Sequence, residues 1–256
     1  MNALGQGLWY ANLAALAVLL ARFAQTGIYR TYRFLFASFA VLATGSLAMM
    51  QIPFRSNAYG FAYIANETAV HLVTVFAVIE IYRIALEAHR GLADFGRASV
   101  AVAAGLALGV AAVVGVLDRT VPQGQSVILH RFFLAERSLD LIIVVFLLLI
   151  AVFVTWFPVE MSRNTALSIS GFTLIYLGRA AGLLAANLLP RTYLAAVNDA
   201  FLGAETLVIV LWALAIRQEA PDQERVAGHF WNRDAFDRLT AQLNTINTAL
   251  VRLGRG

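Results

Sequence analysis

Seven apolar runs, each long enough to cross a bilayer, occupy this chain as far as Arg217, and no lysine occurs anywhere in its 256 residues. The runs extend roughly from Leu8 to Phe23, Phe34 to Met50, Phe61 to Ile84, Val100 to Leu117, Leu139 to Phe157, Thr165 to Leu189 and Leu194 to Ile216. A helix rises about 1.5 Å per residue, so roughly 20 apolar residues span the ~30 Å hydrocarbon core. The pattern predicts an all-α fold: a seven-transmembrane helix bundle over 1–217, a linker over 218–228 and a cytoplasmic amphipathic helix over 229–256. The short alternating segments of a membrane β-barrel are absent.

Composition places lipid rather than water around most of this surface. Hydrophobic residues make up 60% and charged residues 13%, with a mean hydropathy of +0.73, beyond what a water-facing domain carries. The formal charge of +4 rests on arginine alone. Arg22, Arg30, Arg33, Arg83, Arg90, Arg97 and Arg163 fall in the first, third and fifth connections, and the tail adds Arg217, Arg225, Arg233, Arg238, Arg252 and Arg255. The opposite side has Arg55, Arg119, Arg131 and Arg191. The positive-inside rule therefore predicts an outer N-terminus and a cytoplasmic C-terminus. Met1 to Gly7 has no basic n-region, and the first run is expected to be a retained helix rather than a signal peptide. Arginine without lysine, beside abundant alanine, suggests a GC-rich bacterial genome and hence the bacterial inner (cytoplasmic) membrane. No nucleic-acid partner is expected.

Ionisable side chains at bilayer depth are costly and point to function. Glu67 and His71 in the third run lie four residues apart, on one helical face. The fifth helix carries Glu136, Arg137 and Asp140, the sixth Arg179, and the seventh Asn198, Asp199 and Glu205. Counted from the outer ends, these residues reach from two turns deep to near the midplane, so one outward-opening network among the third, fifth, sixth and seventh helices is expected. Five acids stand against two arginines and one histidine. The surplus must be protonated, hydrated or matched by a cation. The plainer alternative is a set of ion pairs that fix helix register. Glu80 and Arg83, near the inner end of the third helix, read as a local ion pair.

Small residues mark expected seams: Gly105 and Gly109 in the fourth run, Gly178 and Gly182 in the sixth. In the tail, Phe236, Leu239, Leu243, Ile246, Leu250 and Leu253 alternate at three- and four-residue spacing, an unbroken a/d seam. Its flanks, Ala235, Thr240, Gln242, Asn247 and Ala249, are uncharged. A homo-oligomer or a cytoplasmic protein partner bound through 236–253 is the reading favoured over adsorption to the inner leaflet.

Several chemistries are excluded by what is missing. Without lysine there is no retinal Schiff base, and without cysteine there is no disulfide, thiolate metal site or iron–sulfur cluster. His71 and His130 differ too much in depth to flank one haem iron, and inward histidines are too few for a zinc hydrolase. No metal is therefore expected, while a non-covalent pigment or quinone stays open. HExxH, GxSxG, GxGD and Walker patterns do not occur, so no enzyme is expected. The layout resembles that of rhodopsins and receptors, although Gly203 stands one turn after Asp199, where microbial rhodopsins carry their lysine. The leading expectation is a receptor-like or scaffold membrane protein whose acidic outer cavity communicates with a cytoplasmic protein-binding helix. The alternatives are a proton- or cation-coupled transporter or channel, and a structural subunit of a larger membrane assembly.

Overall fold

Each apolar run that falls on described residues is helical, in a computed structural model that describes residues 3–53, 56–85, 105, 127–156, 159–188, 191–217, 225–227 and 233–253. The helices are α1 (Ala3–Thr26), α2 (Arg33–Met49), α3 (Asn57–Ala85), α4 (Val127–Trp156), α5 (Arg163–Leu188), α6 (Leu194–Ala215) and α7 (Arg233–Leu253). Thus α4, α5 and α6 correspond to the fifth, sixth and seventh runs, and α7 to the tail. The fourth run lies outside the described residues, apart from Gly105, whose backbone is helical. None of the seven helices contains proline. α4 begins at Val127, ahead of its apolar run, so Glu136 sits more than two turns inside a helix.

Among the described residues three helical stretches are long and apolar enough to cross a membrane: Ala3–Thr26, Asn57–Ala85 and Ala195–Ala215. The distribution of side chains supports the same solvent. Leu214 is 72% exposed, Phe61 64% and Leu72 59%, while Asp140 is 3% and His71 5% exposed. Apolar groups outside and ionisable groups inside make sense when hydrocarbon surrounds the bundle.

Neighbours in space run α1, α2, α3, α4, α5, α6 and back to α1, and α5 also reaches across to α3. The core is mainly aliphatic and holds one aromatic cluster. Phe39 of α2 meets Phe172 of α5 and Trp212 of α6 edge-on, at centroid distances of 5.7 and 5.3 Å. Trp212 lies so close to Gly171 that a Cβ there would stand 2.5 Å from its ring. Glycine at 171 is what lets α5 and α6 close around the indole.

The helix ends at the arginine-rich side are tied by specific hydrogen bonds. α1 ends at Gly27, whose φ of 73° is the left-handed conformation that glycine adopts without a Cβ clash. Arg22 of α1 donates to the carbonyls of Ala213 and Ile216, at 3.3 and 3.2 Å, and so satisfies the C-terminal end of α6. Ser162 caps α5 by accepting the Thr165 N–H at 3.1 Å. The Asn164 amide donates to the Arg217 carbonyl at 2.8 Å, and buried Tyr32 shares a 2.7 Å hydrogen bond with Thr165.

Glu80 departs from its sequence reading. Its carboxylate accepts the backbone N–H groups of Arg33, Phe34 and Leu35, at 2.9, 2.9 and 3.1 Å, rather than serving as the local partner of Arg83. Tyr32, the residue before α2, makes no side-chain cap of its own. A carboxylate from α3 therefore supplies what the first turn of α2 lacks, and its charge complements the positive helix end. Glu80→Ala should lower stability by about 1–2 kcal/mol. Thermal unfolding in detergent checks this, and an unchanged midpoint would show that the cap contributes nothing.

Two short strands occur among the described residues. β1 (Val159–Met161), between α4 and α5, pairs antiparallel with β2 (Arg225–Ala227), with Glu160 opposite Val226. The last residues of the expected linker thus form a strand laid on the α4–α5 connection. Met161 is buried, and β1 also touches α3.

Candidate functional site

Helical spacing brings the site together before any long-range contact is considered. On α3, Tyr63, Glu67 and His71 recur every four residues and share one face; on α4, Glu136 and Asp140 do the same. The two faces meet. His71 Nε2 lies 2.9 Å from Asp140 Oδ1, and the Tyr63 hydroxyl donates to Glu136 at 3.2 Å. From α5, Arg179 extends between Glu67 of α3, at 3.9 Å, and Glu205 of α6, at 3.8 Å. Its guanidinium also sits 5.6 Å from the centroid of the Tyr176 ring.

The hydrogen-bond inventory determines where one proton must be. His71 Nδ1 is 2.7 Å from the backbone carbonyl of Glu67. A carbonyl only accepts, so Nδ1 carries hydrogen. Nε2 then either donates as imidazolium to an Asp140 carboxylate or accepts from a protonated Asp140. In both forms the pair holds one further proton and has zero net charge, so that proton can move between the two without changing the cluster's total charge.

The cluster has carboxylates at Glu67, Glu136, Asp140 and Glu205, with Arg179 and His71 as its described bases. Asp140 is 3% and Glu67 9% exposed. With every acid ionised and both bases charged, the sum is two negative charges. Among these described groups the surplus calls for protons, a cation or a further base when the helices exclude water.

Asp199 is buried on α6, whereas Asn198 beside it is exposed. Arg137 belongs to α4, but its side chain lies outside the described residues. Gly178 and Gly182 of α5 face Phe201 of α6, where a Cβ on Gly182 would come within 3.2 Å of the ring. No described atom lies within 4 Å of a Cβ built on Gly105, and Gly109 is outside the described residues. In the tail, Leu239 is half-buried and Ile246 is 45% exposed, while the side chains of Phe236, Leu243, Leu250 and Leu253 are outside the described residues.

Sequence reasoning passed over Tyr63, Asn66, Thr74 and Tyr176. Asn66 donates to Glu67 at 3.4 Å, and the Tyr176 hydroxyl donates to Thr74 at 2.9 Å. Tyr63 was detectable, since it precedes Glu67 by the same interval at which His71 follows. Tyr176 stands three residues before Arg179 on the same helix, a spacing that puts its ring beside the guanidinium, whereas its hydroxyl partner Thr74 lies on another helix.

Among the described residues no group of three or more His, Cys, Asp or Glu side chains could hold a metal ion. Compared with protein families, curated proteins and solved structures, the chain matches none.

Proposed function

We propose that this chain is a non-enzymatic, receptor-like integral membrane protein of seven spanning helices, with its N-terminus outside and its C-terminus in the cytoplasm. The buried cluster is its sensing site, and α7 is its output. The observation that carries this reading is the shared placement of Glu67, Glu136, Asp140, Arg179 and Glu205. Glu67, Glu136, Asp140 and Arg179 lie in the halves of α3, α4 and α5 remote from the arginine-rich end, and Glu205 meets Arg179 from the middle of α6. A ligand with a protonated amine matches the surplus of carboxylate, and its binding would shift four helices at once. Unbroken helices favour sensing over an alternately opening carrier.

The test uses protein in nanodiscs and a panel of primary and quaternary amines. Stabilisation of the wild type by one of them, lost in Glu205→Gln, is expected. Proteoliposomes containing a pH-sensitive dye provide the opposing outcome. A proton flux abolished by Asp140→Asn and Glu205→Gln would make the chain a transporter, a reading favoured by the mobile proton of the His71–Asp140 pair. The same preparation, weighed and scanned for absorption, would reveal a bound pigment, quinone or partner subunit.

A further inference from the structure

We propose that the occupant of the α7 seam is the α7 helix of a second copy of this chain, paired parallel and in register beneath the membrane. This names the partner of the output helix, and it rests on the reading above only for the membrane tether.

The register of the helix is the first argument. α7 spans 21 residues, three heptads, with Phe236, Leu243 and Leu250 at a and Leu239, Ile246 and Leu253 at d. The 3.5-residue repeat is kept along its whole length, as a supercoiled partner of the same pitch requires. Ile246, in the middle heptad, is 45% exposed, Leu239, Thr240 and Asn247 are half-buried, and among the described residues α7 shows no extensive packing against another helix.

Charge distinguishes a second copy from other occupants. Parallel pairing in register sets g of one helix beside the following e of the other, here Gln242 beside Asn247 and Ala235 beside Thr240. No like charges meet. Asp237, Arg238 and Arg252 occupy b and c positions, directed away from the seam. Three arginines against two aspartates leave α7 a formal charge of +1. That is a modest charge for an anionic leaflet, where about 1 kcal/mol comes from each basic residue.

The fold supplies the direction. β2 is paired to the α4–α5 connection, and five residues separate it from Arg233, a reach of about 20 Å at most. Each copy therefore launches α7 from a similar height below its bundle and in the same chain direction, which favours parallel pairing. Three heptads alone make a marginal coiled coil. Two chains confined to one membrane raise the effective concentration toward the millimolar range, so the pairing belongs to the full chain.

The absence of cysteine makes the test direct. Single substitutions Leu239→Cys, Leu243→Cys and Ile246→Cys, with Ala241→Cys, Thr245→Cys and Thr248→Cys as off-seam positions, are introduced into the full chain in native membranes and mildly oxidised. Same-residue disulfides at 239, 243 and 246, but not at 241, 245 and 248, are expected. Ile246→Asp, combined with Leu243→Cys, should cut that cross-link at least tenfold. Equal cross-linking at all six positions, or none at any, overturns the proposal. So does shielding of the seam thiols by lipid without dimer. Amine binding that persists when cross-links fail leaves the sensing reading intact, and cross-links without amine binding leave the pairing intact.

Discussion

Arg179→Gln should be the most destabilising single change in the polar cluster, costing about 3–5 kcal/mol, the range found when one member of a buried ion pair is removed. Arg179 is the cation shared by Glu67 and Glu205, which approach it from α3 and α6 at 3.9 and 3.8 Å. Glutamine retains hydrogen-bonding capacity but not charge, so two carboxylates face each other across a low-dielectric gap. Thermal unfolding in detergent should show a midpoint well below that of the wild type. Adding Glu205→Gln to the same chain should recover much of the loss, because one of the stranded charges goes with it. A double variant no more stable than Arg179→Gln would mean that the Glu205 contact has no energetic weight.

Replacement of Asp140 should separate stability from proton chemistry. In Asp140→Ala, Nε2 of a 5% exposed histidine loses its partner, at a cost of about 1–3 kcal/mol. Asp140→Asn should unfold close to the wild type, since the asparagine amide can donate to Nε2 while Nδ1 still donates to the Glu67 carbonyl. That arrangement holds His71 in the neutral Nδ1–H form. At one fixed neutral pH, nitrogen chemical shifts of His71 in Asp140→Asn should be those of a neutral Nδ1–H ring, with Nε2 displaced from that position in the wild type by the proton it shares with Asp140. Identical Nε2 shifts in the two proteins would show that the proton stays on Asp140 and is not shared.

These predictions differ in how far they could be anticipated. The pairing of His71 with a neighbour on α3 follows from four-residue spacing, but spacing alone suggests the side chain of Glu67. The structure uses the Glu67 backbone carbonyl instead and turns the other ring nitrogen to Asp140, 69 residues away. Glu80 shows the same limit. Arg83, three residues on, is the visible partner, whereas the N-terminus of α2 comes close only because α2 and α3 pack side by side.

What the sequence determined by itself follows from local chemistry. Hydrophobic run length and the near absence of polar side chains specify helices that lipid tolerates, and the missing lysine and cysteine exclude whole classes of cofactor attachment. Period and spacing place Glu67 with His71, and Glu136 with Asp140, because neighbours on a helix are set by 3.6 residues per turn. The tertiary structure alone decided which faces meet. Helices that are apolar on nearly every side carry little rotational information, so the pairing of Arg179 with Glu67 and Glu205, the seat of Trp212 on Gly171 and the strand formed by Arg225–Ala227 emerge only when the bundle closes.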